Sequence, residues 1–228
     1  MTAPPAPPRV GLRTYPPSPG SSPNIRHLLD LLGIAVFAIS GALAAGRKSL
    51  DWLGVALIAV VTAIGGGTLR DLLLNRHPIF WIADPTYLLV CLAATALTLV
   101  YARLRIPAFR ALFVADALGL AFFTIGGVQI AEQAGLSGLL AVLMGMITGV
   151  AGGVARDVLC AEIPLIMRRG QLYASAAIAG AALYLGLERI GLPRDTAALA
   201  GMAAIAIVRF AAIVWRLELP VLNLEEPG

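Results

Sequence analysis

Charge is scarce in this chain. Only 13% of its 228 residues are Asp, Glu, Lys or Arg, against about 25% in average soluble domains. Cysteine is almost absent: Cys91 and Cys160 are the only two, both fall within or at the end of apolar runs, and they form no CxxC pair. They read as small buried residues rather than as a disulfide or a metal site. The two histidines, His27 and His77, fall at loop or interface positions, so no metal centre is expected. Aromatics make up 7% of the chain, and no basic face is interleaved with them, which excludes a nucleic-acid surface. What the chain has instead is apolar length. Hydrophobic residues are 59% of it, mean hydropathy is +0.85, and run after run of about 20 residues is nearly free of charge, the length a helix needs to cross hydrocarbon. A soluble chain of this size could not hide so much apolar surface, so the expected class is an all-α integral membrane protein.

Seven spans are expected: Leu28–Ala45, Leu53–Leu74, Tyr87–Tyr101, Ala111–Ala131, Leu139–Cys160, Leu172–Leu187 and Thr196–Trp215. The third and sixth are short. Before them, residues 1–24 are rich in Pro, Ser and Gly with no apolar period and read as a disordered tail. This tail is not a signal peptide, because the apolar run comes too late and is a full-length span. The expected organisation is a seven-helix domain over 25–216, followed by a C-terminal tail over 217–228.

Shifting the sequence by 86 positions lays the first three spans on the next three without a gap. Asp30 falls on Asp116, Gly41 on Gly127, Gly66-Gly67 on Gly152-Gly153, Arg70-Asp71 on Arg156-Asp157, Pro78 on Pro164, Tyr87 on Tyr173 and Arg103 on Arg189. About 23 of 74 aligned positions are identical, including charged, Gly, Pro and Tyr positions. The repeats cover 28–103 and 114–189, and the seventh helix, 196–216, has no counterpart. Each copy has an odd number of spans. The second copy must therefore enter the bilayer from the opposite side, giving the inverted-repeat architecture of many transport proteins. Arg47, Lys48, Arg103, Arg105, Arg110, Arg168, Arg169 and Arg216 collect on one side, against Arg26, Arg76, Arg189 and Arg194 on the other. The richer side is expected in the cytoplasm of a bacterial inner membrane, with the N-terminus outside and the C-terminus inside.

The second span carries Gly65, Gly66 and Gly67, and the fifth carries Gly152 and Gly153. Each glycine costs a helix roughly 1 kcal/mol against Ala, so both spans are expected to break or kink there. The freed carbonyls near Val61–Ile64 and Thr148–Ala151 would then be able to coordinate a cation. The other reading is close packing, since Gly145, Gly149 and Gly153 form a small-xxx-small stripe. Arg70, Asp71, Arg156 and Asp157 are charges at membrane depth, which usually face an interior cavity. A cross-pair of Arg70 with Asp157 and Arg156 with Asp71 would form a gate, whereas snorkelling would leave each wetted alone. Asp30 and Asp116 read either as carboxylates complementing a helix dipole or as cation attractors at a pore mouth. Ser40, Thr62, Thr124 and Thr148, with Gln129, are further polar candidates for lining or for interhelical glue. Gly135-Leu-Ser-Gly138 superficially matches a serine-protease motif of intramembrane proteases. No histidine follows it to act as base, so no catalytic residue and no enzyme are expected, and no cofactor.

GGGTLRD in one half and AGGVARD in the other, each followed by a proline seven or eight residues later, resemble the trimeric intracellular cation (TRIC) channel family, whose bacterial members also bear the description of putative glycine transporters. The resemblance covers about Ile25 to Trp215. It implies a homotrimer in a lipid bilayer, each subunit with an hourglass pore for monovalent cations, chiefly K⁺. It further implies that the first, second, fourth and fifth spans surround the pore and that Gly65–Gly67 and Gly152–Gly153 shape its constriction. A cation channel is thus the first expectation. An alternating-access carrier of a small zwitterion such as glycine, its carboxylate on broken-helix N-termini at Thr68 or Val154, is the second.

Overall fold

The computed structural model describes residues 23–105, 110–168, 172–215 and 217, with side chains from Arg26 onward. The expected tails, 1–24 and 217–228, lie outside the described residues except for 23–24, which open α1 rather than end the tail, and 217. Among those described, every regular element is helical. The expected spans correspond to α1 (Pro23–Gly46), α2 (Trp52–Leu73), α4 (Thr86–Leu104), α5 (Ala111–Gln133), α6 (Gly138–Leu159), α7 (Ala174–Arg189) and α8 (Arg194–Trp215). Two short elements were not expected: α3 (Phe80–Ala83), a single turn after Pro78, and a 3₁₀ turn, Leu165–Met167, after Pro164. They occupy equivalent places in the two copies. Six of the long helices have the length and hydropathy to cross a membrane. The 16-residue α7 is the short one, reaching about 24 Å.

The outer surface is made of large apolar side chains. Leu53, Leu97 and Trp215 are each about 70% exposed or more, which in water would be costly and in lipid is the solvated state. α1, α2, α5 and α6 pack on one another at the centre, α4 lies against α1 and α2, and α7 and α8 cover α5. α5 is apolar nearly all round, as a helix enclosed on every side must be. The fold is thus two inverted three-helix repeats plus α8.

The ends of α2 and α6 show how closely the copies match. In each, the residue after the C-cap is left-handed: Asn75 at φ 51° and Ala161 at φ 53°, 86 positions apart. The amides of Arg76 and Glu162 then bond back to the carbonyls of Asp71 and Asp157, at 2.8 and 2.9 Å. This is a Schellman ending. It turns the chain so that the Pro78 and Pro164 segments fold back over the helix end.

Candidate ion pathway

The glycines do not break the helices. α2 and α6 run without interruption through Gly65–Gly67 and Gly152–Gly153, so the carbonyls near Val61–Ile64 and Thr148–Ala151 stay within helix, and no helix N-terminus exists at Thr68 or Val154. An unsatisfied peptide group costs several kcal/mol in hydrocarbon, far more than the roughly 1 kcal/mol propensity penalty of a glycine. The glycines instead let two backbones touch. A Cβ on Gly66 would lie 2.0 Å from the Thr148 carbonyl oxygen, and one on Gly152 would lie 2.2 Å from the Thr62 carbonyl oxygen. Gly66 is the repeat equivalent of Gly152, and Thr62 of Thr148, so the two contacts are mirror copies about the pseudo-two-fold. Gly65 only approaches Gly152 Cα, at 3.9 Å from a would-be Cβ. Gly67 receives the Phe80 ring, and Gly153 the Tyr173 hydroxyl. The hydroxyls of Thr62 and Thr148 donate within their own helices, to Ile58 and Met144. Thr124 packs its hydroxyl against Gly149, and Gly145 takes Val128, so the small-residue stripe is a face for α5.

The second axial contact is aromatic. Phe37 of α1 and Phe123 of α5, again repeat equivalents, stack with centroids 5.2 Å apart. Phe37 lies where a side chain on Gly119 would have to be, 2.0 Å from a would-be Cβ, whereas Phe123 only approaches Gly33, at 3.2 Å from one.

The charged pairs form differently from the expected cross-pairing. Arg70 Nε and Nη2 lie 2.9 and 2.8 Å from Oδ1 of its own neighbour Asp71. Arg156 holds Asp157 Oδ1 in the same way, at 2.8 Å from both nitrogens. The long Arg side chain curls back along the helix and closes the 100° that separates adjacent positions. Snorkelling is also excluded, because Arg70, Asp71, Arg156 and Asp157 are all buried. The second carboxylate oxygen of each Asp accepts a backbone amide from the folded-back segment: Phe80 N to Asp71 at 3.0 Å, Leu165 N to Asp157 at 2.8 Å. Each Arg–Asp pair therefore clips a helix end to the loop that follows.

Beyond that shared unit the halves part. Arg156 Nη1 donates to Asp116 at 2.7 Å and to Ser40 at 2.5 Å, and the Tyr173 hydroxyl donates to Asp116 at 3.2 Å. Asp116 is fully buried, in the interior of its helix, so the helix-dipole reading does not apply to it. Its equivalent Asp30 is half-buried and lines a cavity of about 100 Å³ together with Arg26, Arg70, Arg76, Phe80 and Tyr87. A larger cavity, about 250 Å³, lies near the other end of α1, between Ala44, Arg47, Lys48, Asp157, Glu162 and Arg168. Asp30 and Ala44 are about 21 Å apart along the helix, so the cavities open towards opposite faces. They are repeat counterparts: Ile130, Gln133 and Arg76 of the smaller take the places of Ala44, Arg47 and Glu162 of the larger. The Phe37–Phe123 stack and the Gly66 and Gly152 contacts each join equivalent positions of the two halves.

Arg209 was not expected. It sits in α8, fully buried, with Nη2 3.7 Å from Asp116 Oδ2 and its guanidinium 4.6 Å from the Tyr173 ring. Its signal was present in the sequence, a lone arginine deep in the seventh apolar run, which intramembrane cost alone marks out. Glu132 was also missed. It accepts from Tyr184 and Arg194, at 3.0 and 2.8 Å. No group of His, Cys, Asp or Glu among the described residues has the arrangement of a metal site.

An inverted repeat of membrane-length helices with a cavity near each end and buried Arg–Asp pairs beside them is the architecture of a membrane protein of the transport class. The sequence profile of a family described as "Glycine transporter" matches residues 27–103 and again 113–189. The chain is 46% identical over 205 residues to the inner membrane protein YadS of Escherichia coli K12, covering 89% of this chain and 98% of that one. It superposes on the TRIC trimeric intracellular cation channel orthologue from Rhodobacter sphaeroides with a TM-score of 0.81 at 41% identity, covering 85% of this chain and all of that one. A second prokaryotic TRIC channel gives a TM-score of 0.80 at 30% identity, over 86% of this chain and 99% of its own. The chain belongs to the TRIC channel family, the same family whose profile carries the glycine-transporter description.

Proposed function

We propose that the chain is a channel for monovalent cations, chiefly K⁺, with one pathway in each subunit of a homotrimer. The reading rests above all on the two cavities near opposite ends of the central helices, with the Gly66 and Gly152 backbone contacts and the Phe37–Phe123 stack in the packing of those helices. Its kinship with proteins named as trimeric cation channels supports it. Asp30 and Arg70 line one mouth and Asp157 the other, Gly66 and Gly152 set the narrowest crossing with Gly65, Gly67 and Gly153 beside them, and the Arg70–Asp71 and Arg156–Asp157 clips hold the walls. Thr62, Thr148, Thr124 and Ser40 lie along the same central packing. The membrane is the bacterial inner membrane. The N-terminus is outside and the mouth with Arg47, Lys48 and Arg168 faces the cytoplasm. Reporter fusions after Arg169 and after Glu226 should both read as cytoplasmic, and an external signal at either would reverse the assignment.

A second reading is favoured by one observation. The smaller mouth places the Asp30 carboxylate beside the Arg70 and Arg76 guanidiniums in about 100 Å³, which suits a small zwitterion carried by alternating access. Reconstitution into planar bilayers separates the two. Unitary K⁺ current steps establish the channel, whereas saturable glycine uptake without steps establishes the carrier.

A further inference from the structure

The two halves share Arg–Asp clips but differ in how the helix carboxylate that both carry, Asp30 and Asp116, is neutralised. Near Asp30, basic residues come from the repeat itself: Arg26 and Arg76 line the same cavity. At the equivalent positions the second half has Leu112 and Glu162. It has lost both cations and gained an acid. Its Asp116 is nonetheless fully buried, and its Oδ2 takes no hydrogen bond from the described residues. The compensating charge comes from outside the repeat. Arg209 of α8 stands 3.7 Å from that oxygen, stacked over Tyr173, which itself donates to Asp116 Oδ1. With Arg209 the buried cluster of Asp116, Asp157, Arg156 and Arg209 sums to zero. Without it the sum is −1, and a buried charge lacking compensation is strongly unfavourable.

We infer that Arg209 is a positioning residue that locks the second half shut. It holds Asp116 in place to receive Arg156, and Arg156 in turn holds Asp157 and the end of α6 against the larger mouth. The helix without a repeat partner is thereby what makes the two mouths unequal. In the first half Asp30 faces its cavity, whereas in the second Asp116 is withdrawn behind the Arg156 and Arg209 guanidiniums. Opening towards the larger mouth requires this cluster to loosen. The inference uses the channel reading only for its flux readout.

A native reporter is in place. Cys160 lines the larger cavity and is buried, one residue past the end of α6. In full-length protein with Cys91→Ala, reconstituted in vesicles, the rate at which a charged, water-soluble methanethiosulfonate modifies Cys160 reads the lock directly. Arg209→Met should raise that rate about tenfold, the size expected of one member of a coupled ion-pair network. Arg209→Lys, which keeps the charge but not the planar stack over Tyr173, should give a smaller rise. K⁺ current should rise in the same order. An unchanged Cys160 rate in Arg209→Met overturns the lock even if thermal stability falls. If that variant does not reach the membrane, an unchanged rate in Arg209→Lys overturns it. Faster labelling with no unitary current in any variant upholds the lock and sinks the channel reading instead.

Discussion

Phe37 and Phe123, one from each repeat, stack on the pseudo-two-fold with their planes 11° from parallel. The Phe37 ring fills the space left by Gly119 of the other copy, and the Phe123 ring approaches Gly33 to 3.2 Å from a would-be Cβ. On the proposed pathway this stack would be an apolar plug, a device that holds a pore closed by excluding water. Phe37→Ala should raise resting K⁺ flux while lowering thermal stability, since losing a buried Phe side chain costs about 3–5 kcal/mol in packed interiors. Lowered or unchanged flux in the folded variant would place the stack off the pathway.

The glycines should respond unequally to alanine. At Gly65 a methyl group meets only ordinary contact, 3.9 Å from Gly152 Cα, and Ala is the better helix former by about 1 kcal/mol, so stability should hold or rise. At Gly66 the same methyl would sit 2.0 Å from a backbone oxygen, which only a separation of α2 from α6 can relieve. Gly66→Ala and Gly152→Ala should therefore both unfold at lower temperature and alter flux. Equal melting of Gly65→Ala and Gly66→Ala in detergent would dismiss the backbone crossing.

Thermal double-mutant cycles distinguish neighbour pairing from cross-pairing. The Arg70→Ala and Asp71→Ala changes should be coupled by about 0.5–3 kcal/mol, whereas Arg70→Ala and Asp157→Ala should be additive within about 0.5 kcal/mol. Strong coupling in the second cycle would restore the cross-pair that the geometry rejects.

Ala161 carries a Cβ at φ 53°. The left-handed conformation costs such a residue roughly 1–2 kcal/mol, partly offset by the entropy glycine loses on folding. Ala161→Gly should stabilise the protein by about 0.5–1 kcal/mol. A lower melting temperature would show that the Ala methyl makes contacts that outweigh its strain.

Glu162 bonds to Lys48 and, at 3.0 Å, to Arg168 across the larger mouth. The Lys48 hydrogen bond and charge, with Arg168 behind them, hold its carboxyl below the usual glutamate range. A depressed folded pKa gives stability that is complete above the unfolded value of about 4.3 and is lost as pH falls through the folded value. The melting-temperature gap between wild type and Glu162→Gln should be constant from about pH 6 upward and close in acid below about pH 4. It should be small, since the side chain is 45% exposed. A gap that widened in acid would mean that Glu162 is not held by cations.

Much of the architecture was legible because membrane insertion is governed by local quantities. Runs of about 20 apolar residues mark α1, α2, α5, α6 and α8 without reference to any contact. Sequence identity at a fixed 86-residue offset, with an odd span count, yields the inverted repeat. What failed was reasoning about what single residues do. Helix propensity argued for breaks at Gly65–Gly67, but in lipid the backbone must keep its hydrogen bonds, and the glycines serve contact instead.

By itself, then, the sequence determined the class of protein, the seven apolar helices, the inverted pairing of two halves and most of the charged and small residues held at depth, Arg209 excepted. Each of these follows from composition and spacing along one chain. Only the tertiary structure decided which groups meet. Arg156 reaches Asp157, Asp116 and Ser40 at once. Arg209 arrives from a helix outside the repeat, and Gly66 touches the carbonyl of Thr148. Those partners come from five helices distant in sequence. Short-range electrostatics and close packing act between them only after the helices have docked, so no periodicity in the chain could have named them.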